Sequence, residues 1–296
     1  MAGPLPNFFI AGVPKAGTTA LFNWLAAHPQ MNGAYEKETC FFADPDSHAY
    51  RADFCVAQGL DTYSTAFPAP TLSTRVTFEA TPFYIYSRAA LEHIPGLETC
   101  PKVLFILRDP ADQIASVFDY FQNNYSHIPA GLTFEAFVSA VHQGNGDFKG
   151  NELARNALGY ADYLPWLMTW RERVGEARMM VRTFDQLRDN PRAICKEIAG
   201  WLDVSEEFFD DFVFTKENES YRPRNRALQT LNIAVRERLP KGRVYDMARR
   251  LYRKVNTRPV DRAGKAETKA QLRAEFAARN QLLAETFDLD LTNWGG

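Results

Sequence analysis

The chain has 296 residues, of which 46% are hydrophobic and 24% charged, and its formal net charge is −2. That length can bury a substantial core, that composition excludes a disordered or fibrous protein, and the near balance of charge argues against a general nucleic-acid binder. No apolar run approaches the roughly 20 residues of a membrane span, the amino terminus lacks the regions of a leader, and the four cysteines show no C-x-x-C spacing, so the expectation is a cytoplasmic chain with reduced thiols, no zinc site and no nucleic-acid or membrane partner.

Phe8-Phe9-Ile10-Ala11 reads as a buried strand that breaks at Gly12-Val13-Pro14. Lys15-Ala16-Gly17-Thr18-Thr19 then opens a run of helical spacing, with Leu21, Trp24 and Leu25 on one side. Strand, glycine-bearing turn and helix together make an anion cradle. The turn amides converge, the first helical turn leaves donors unpaired, and the positive end of the dipole lies behind them. Lys15 adds a full charge, and Thr18 and Thr19 add hydroxyls. The loop departs from the Walker pattern G-x-x-x-x-G-K-[ST], because Lys15 precedes Gly17 instead of following it. A lysine before the turn sits nearer the bridging oxygen of a short anhydride than the terminal phosphates of a nucleoside triphosphate.

His28-Pro29 stops the first helix. Met31–Phe42, MNGAYEKETCFF, reads as a loop in which Phe41 and Phe42 anchor the charged pair Lys37 and Glu38. Ala43–Pro70 reads as irregular structure around short helices, one of them at Tyr50–Val56. Arg75–Glu79 alternates as a strand and ends at Ala80-Thr81-Pro82, and Lys102–Leu107 is apolar enough for the centre of a parallel sheet. Arg108-Asp109-Pro110 ends that strand, and the helix expected from about Ala111 carries Ser116. A guanidinium offers a planar fork that fits a phosphate, with the serine as a further donor.

Beyond Gly131 helices dominate, with Thr133 as an N-cap. The aromatic stretch Asn151–Val174 reads as one long helix kinked at Pro165. A strand follows at Arg178–Thr183, then a helix Arg192–Leu202 opened by Asn190-Pro191. An arginine loop, Arg222 to Arg226, precedes a helix near Leu228–Leu239. Gly242–Lys265 reads as a solvated basic face, and Lys265–Phe287 as a last amphipathic helix. The alternation of strands and helices predicts an α/β fold of three layers, P-loop-like, with a mainly parallel sheet flanked by helices and a helix-rich carboxyl-terminal part, all of 1–296 as one domain. Ligands of such sheets bind beyond the strands' carboxyl ends, and Lys15, Thr81 and Arg108 all follow strand ends.

Five segments carry a family resemblance. PKAGTT resembles the 5′-phosphosulfate loop of sulfotransferases that use 3′-phosphoadenosine 5′-phosphosulfate (PAPS). KETCFF resembles the KE-x-x-FF segment of heparan-sulfate-type sulfotransferases and their bacterial relatives, with Cys40 where members often carry His. FEATPFY resembles their E-K-[ST]-P-x-Y segment, with Ala80 where many animal members carry a lysine near the sulfonate. RDPADQIAS resembles R-[DN]-P-x-x-x-x-x-S, and GYADYLPWLMTW the family's G-x-Y-x-x-x-L-x-x-W helix. The resemblance covers roughly Asn7–Val204.

It implies sulfonate transfer from PAPS to a hydroxyl or amine of a carbohydrate or natural-product acceptor by in-line displacement, with PAP as product and no metal. Lys15 is then the group at the leaving oxygen. Ala16, Gly17, Thr18 and Thr19 hold the 5′-phosphate, and Arg108 and Ser116 the 3′-phosphate, with Arg224 of a late basic loop beside them. Glu38 is the implied base, His127 and Asp44 being next in line. Lys37, Thr81 and Phe42 are expected around the acceptor, Lys37 standing in for the lysine missing at position 80. The alternatives are a P-loop nucleotide kinase or NTPase, and a non-catalytic nucleotide-binding protein.

Overall fold

The strand β1 (Phe8–Gly12) is buried at every position, as a strand covered on both faces must be. The computed structural model describes residues 3–215, 221–223, 228, 256–259 and 263–295. After β1 come α1 (Thr18–Ala26), β2 (Met31–Gly33), α2 (Leu60–Ser64), β3 (Val76–Glu79), α3 (Arg88–His93), β4 (Lys102–Leu107), α4 (Pro110–Tyr120) and, beyond further helices, β5 (Met179–Thr183). The sheet runs β2-β3-β1-β4-β5, with every pairing parallel. From β1 the chain first builds one side of the sheet and then crosses to the other, so the loops after β1 and β4 diverge and leave a crevice at their carboxyl ends. A short antiparallel pair, Tyr221–Pro223 with Thr257–Pro259, lies outside this sheet.

Two apolar clusters hold these layers. One surrounds the sheet, and its members include Phe8, Phe9, Leu104, Phe105 and Trp170. The other is built by α4 (Ala111, Ile114, Phe118), the helix Phe134–His142 and the long helix Ala266–Phe287 through Leu272 and Phe276. Thr133 caps the first of those helices through its side chain, as its place in the sequence predicts.

Three local expectations need correction. Met31–Gly33 is an edge strand, not loop, paired with β3 from Met31 against Val76; Asn32 and Gly33 have too little strand propensity for so short an element to show. Tyr50–Val56 forms turns, and the helices come later, a 3₁₀ turn at Val56–Gln58 and then α2. The stretch Asn151–Val174 is three helices, Glu152–Arg155, Ala157–Ala161 and Tyr163–Val174. Asn156 and Asp162 leave helical backbone between them. Pro165 falls in the first turn of the third helix, where a missing N–H breaks no ladder. Arg224, the helix expected near Leu228–Leu239 and most of Gly242–Lys265 lie outside the described residues. Among the described residues no helix is long and apolar enough to cross a membrane.

Candidate active site

The turn after β1 is tied to β4 and α4. Val13 N–H donates to the Ile106 carbonyl at 2.8 Å, Gln113 Nε2 donates to the Pro14 carbonyl at 3.3 Å, and Arg108 Nη1 donates to the Lys15 carbonyl at 2.8 Å. Lys15 and Gly17 both have left-handed backbone, at φ 71° and 81°. A Cβ on Gly17 would stand 3.0 Å from the Phe184 ring, so this turn needs glycine for space as well as for φ. Gly17 opens α1 with no side-chain cap, whereas Ser87 and Asp109 cap their helices through side chains. The start of α1 therefore keeps its donors and its positive dipole end for an outside anion.

Lys15 reaches back over Tyr120, its Nζ 3.8 Å from the ring centroid. Burial, and then the Arg108 charge, lower its pKa to about 8, against the opposing pull of Glu38 and Asp119. The Arg108 guanidinium lies 4.9 Å from the centroid of Phe184, and the Tyr163 hydroxyl donates to the Arg108 carbonyl at 2.9 Å. Burial pulls the Arg108 pKa down while Asp112, Tyr163, Asp109 and Asp185 oppose it, and the guanidinium stays charged. Asp112 and Ser116 are four residues apart on α4 and so share a face, with Ser116 buried. The structure thus brings Lys15 and Arg108 together as the sequence predicts, and adds Tyr120 and Phe184, which no motif named. Their sequence signal is an aromatic just past the end of β5, for Phe184, and at the last position of α4, for Tyr120.

Opposite this turn, Lys37 Nζ donates to Glu38 Oε1 and to the Ala80 carbonyl, both at 2.8 Å, and Ala80 N–H donates back to the Lys37 carbonyl at 2.9 Å. The Lys37 ammonium therefore stands at the end of β3, beside the position that lacks a lysine. Glu38 is 47% exposed at its side chain, and its charge acts on Lys15.

Behind this pair the fully buried Glu79 accepts from Thr39 Oγ1 at 2.7 Å and Thr81 Oγ1 at 2.5 Å, from the Tyr63 hydroxyl, and from the Tyr84 hydroxyl at 3.3 Å. Burial pushes the Glu79 carboxyl up, and the Thr81, Tyr63 and Thr39 hydroxyls pull it down. Glu79 was expected only as a strand end; its signals are its place as the acid of the E-K-[ST]-P-x-Y resemblance and its company in the buried strand, Val76, Thr77 and Phe78. Two expected acceptor contacts fall to this cluster. The Thr81 hydroxyl is occupied by Glu79 and by Cys40 N–H. Phe42 is fully buried against Phe9, Phe41, Tyr63 and Tyr84, so it anchors the segment and does not line a cleft.

Asp44, an alternative base, caps α3 by accepting from the Arg88 and Ala89 amides at 2.9 and 2.8 Å. His127 stacks on Phe121 at 5.7 Å, and burial lowers its pKa. Burial pushes the Cys40 thiol up to about 12, so the residue in the place of a histidine stays protonated. Among the described residues no group of three or more His, Cys, Asp or Glu could hold a metal ion.

This geometry belongs to a known class. The family model of the sulfotransferase domain matches residues 5–258, and the chain belongs to that family. Its curated relatives include the bifunctional heparan sulfate N-deacetylase/N-sulfotransferase 4 of Mus musculus, 26% identical over 213 residues that make up 69% of this chain and 23% of the relative. The human bifunctional heparan sulfate N-deacetylase/N-sulfotransferase 3 is 28% identical over 209 residues, 68% of this chain and 22% of the relative. The chain thus spans less than a quarter of the length of these relatives. A crystal structure of a sulfotransferase from Alicyclobacillus acidocaldarius superposes with a TM-score of 0.66 at 20% identity, covering 98% of this chain and 99% of the other, which shows a shared fold. The family is one of sulfotransferases, and sulfonyl transfer in general is the chemistry that its model and relatives support.

Proposed function

We propose that this protein transfers the sulfonate group of PAPS to a hydroxyl or amine of a carbohydrate or natural-product acceptor by in-line displacement at sulfur. The observation that carries the reading is that Arg108 donates to the main-chain carbonyl of Lys15 while its charge also acts on the Lys15 ammonium, so both cations border one crevice. The donor set fits a nucleotide with anions at both ends: an uncapped helix start with a lysine on one side, a guanidinium with a buried serine on the other. The relatives' names, heparan sulfate N-sulfotransferase, support a saccharide acceptor.

In this mechanism Lys15 neutralises the charge that grows on the bridging oxygen as the S–O bond breaks. The amides of Gly17, Thr18 and Thr19 and the Thr18 and Thr19 hydroxyls hold the 5′-phosphate, the Ala16 amide being already donated to the Val13 carbonyl at 3.3 Å, while Arg108 and Ser116 hold the 3′-phosphate. Lys37 fixes Glu38 and presents a second ammonium toward the transferred group. Glu38 takes the acceptor's proton, a contribution on the order of 10²–10⁴ in rate.

The test is calorimetric binding of PAP and AMP beside transfer of radiolabelled sulfonate to saccharide and phenol acceptors. The wild type is expected to prefer PAP. Arg108→Ala should weaken PAP by about 10- to 100-fold, the loss of a charge-assisted phosphate contact, and change AMP little. PAP binding without transfer to any acceptor would leave a nucleotide-binding protein and overturn the catalytic reading.

A further inference from the structure

Arg108 is followed by two carboxylates, Asp109 next to it and Asp112 four residues on, and both stand close enough to it to act on its charge. Left to themselves they would give Arg108 an internal partner and repel an incoming phosphate. They are not left to themselves. Lys265, Lys269 and Arg273 recur at intervals of four along the long helix Ala266–Phe287 and the residue that caps it, so they form one stripe. That stripe lies against α4, with Leu272 and Phe276 packed beside it on the α4 cluster. Lys269 pairs with Asp112 Oδ1. Arg273 Nε meets Asp109 Oδ2 at 3.1 Å, and its Nη2 lies 3.7 Å from Asp112 Oδ2. At the far end Lys265 meets Asp119 Oδ1 at 2.6 Å.

We propose that Lys269 and Arg273 are positioning residues that set specificity for the nucleotide's 3′-phosphate, by holding Asp109 and Asp112 so that Arg108 is left for an external anion. This rests on the donor-site reading above. The charges support it. Burial alone would raise the Asp112 carboxyl, but Lys269 first, then Arg108 and Arg273, hold it below its usual range. Arg108 is thus already felt by Asp112, and Lys269 is the stronger claimant. Asp109 also has its other oxygen engaged, Oδ1 accepting from Asp112 N–H at 2.7 Å as the cap of α4. Removing the helix cations turns both carboxylates toward Arg108.

The experiment measures PAP and AMP affinities, at one ionic strength, for the wild type, Lys269→Gln, Arg273→Ala and Arg273→Lys, with melting curves to check folding. AMP lacks the 3′-phosphate and is the internal control. Lys269→Gln and Arg273→Ala should each weaken PAP by about three- to tenfold, the range of a partly exposed ion pair acting near a phosphate, with AMP unchanged. Arg273→Lys should keep most of the preference, and Asp112→Asn added to Lys269→Gln should restore it. Equal weakening of PAP and AMP would reduce the stripe to a folding role and overturn the proposal, as would an unchanged ratio. If Arg273→Ala does not fold, Lys269→Gln carries the same expectation alone. A wild type that does not prefer PAP would instead sink the donor-site reading, a result distinguishable from these.

Discussion

Lys15 combines burial, a cationic neighbour and a place on the turn, and that combination has a pH signature. Its folded pKa lies near 8, below the ordinary lysine value, so the ammonium is present at neutral pH and is lost as pH rises through about 8. An anion on this turn needs the charged form. PAP affinity should therefore hold near pH 7 and fall above about 8, by up to tenfold per unit, since binding then takes up one proton. In Lys15→Ala the affinity should be lower throughout and the break near 8 absent; calorimetric titration across this range reads both. Glu38 answers to a different assay. Glu38→Gln should leave PAP binding near the wild-type value and cut transfer by about 10²–10⁴, and full transfer in that variant would move the base elsewhere. Lys15 and Arg108 were legible because a charge within three residues of the end of an apolar strand lies at the sheet's ligand-binding edge. Glu79 was not, because the same letter at a strand end is as often solvated as buried, and only the hydroxyls from Thr39, Tyr63 and Thr81 reveal which.

At the scale of elements, the segment Lys37–Phe42 owes its position to β3. Thr39 bonds Glu79, Cys40 bonds Thr81, and Phe41 stacks on Tyr63 at 4.4 Å. Glu79→Ala should strand several buried hydroxyls and lower stability by roughly 2–4 kcal/mol. Transfer should fall with it, because Glu38 loses its support. Denaturant titration and turnover check the two outcomes, and Glu79→Gln, which still accepts, should be milder in both. The apolar strands were readable from their letters. β2 was not, because an edge strand of three residues is made by its neighbour more than by its own propensities. The break of Asn151–Val174 into three helices was also hidden, since aromatic residues at helical spacing continue across Asn156 and Asp162.

At the scale of the whole molecule, the alternation of strands and helices predicted a parallel α/β sheet but not its order. Crossover handedness limits the topologies without saying which strand lies beside which. The observed order sets β1 next to β4 and so places the turn of Lys15 beside Arg108. The long helix was legible as a helical run, yet its meeting with α4, from 164 residues away in the case of Arg273 and Asp109, left no trace in local spacing.

The bond from Lys37 to the Ala80 carbonyl carries a lesson about reading such chains. On the proposed reading this corner receives its ammonium from the loop that crosses the strand instead of from position 80, where the resemblance expects a lysine. Once the loop supplies it, the strand is released to keep a methyl group in the packed interior, where Ala80 has no exposed surface. A search for the letter K at position 80 would discard this protein, while a search for a positive charge at that coordinate would retain it.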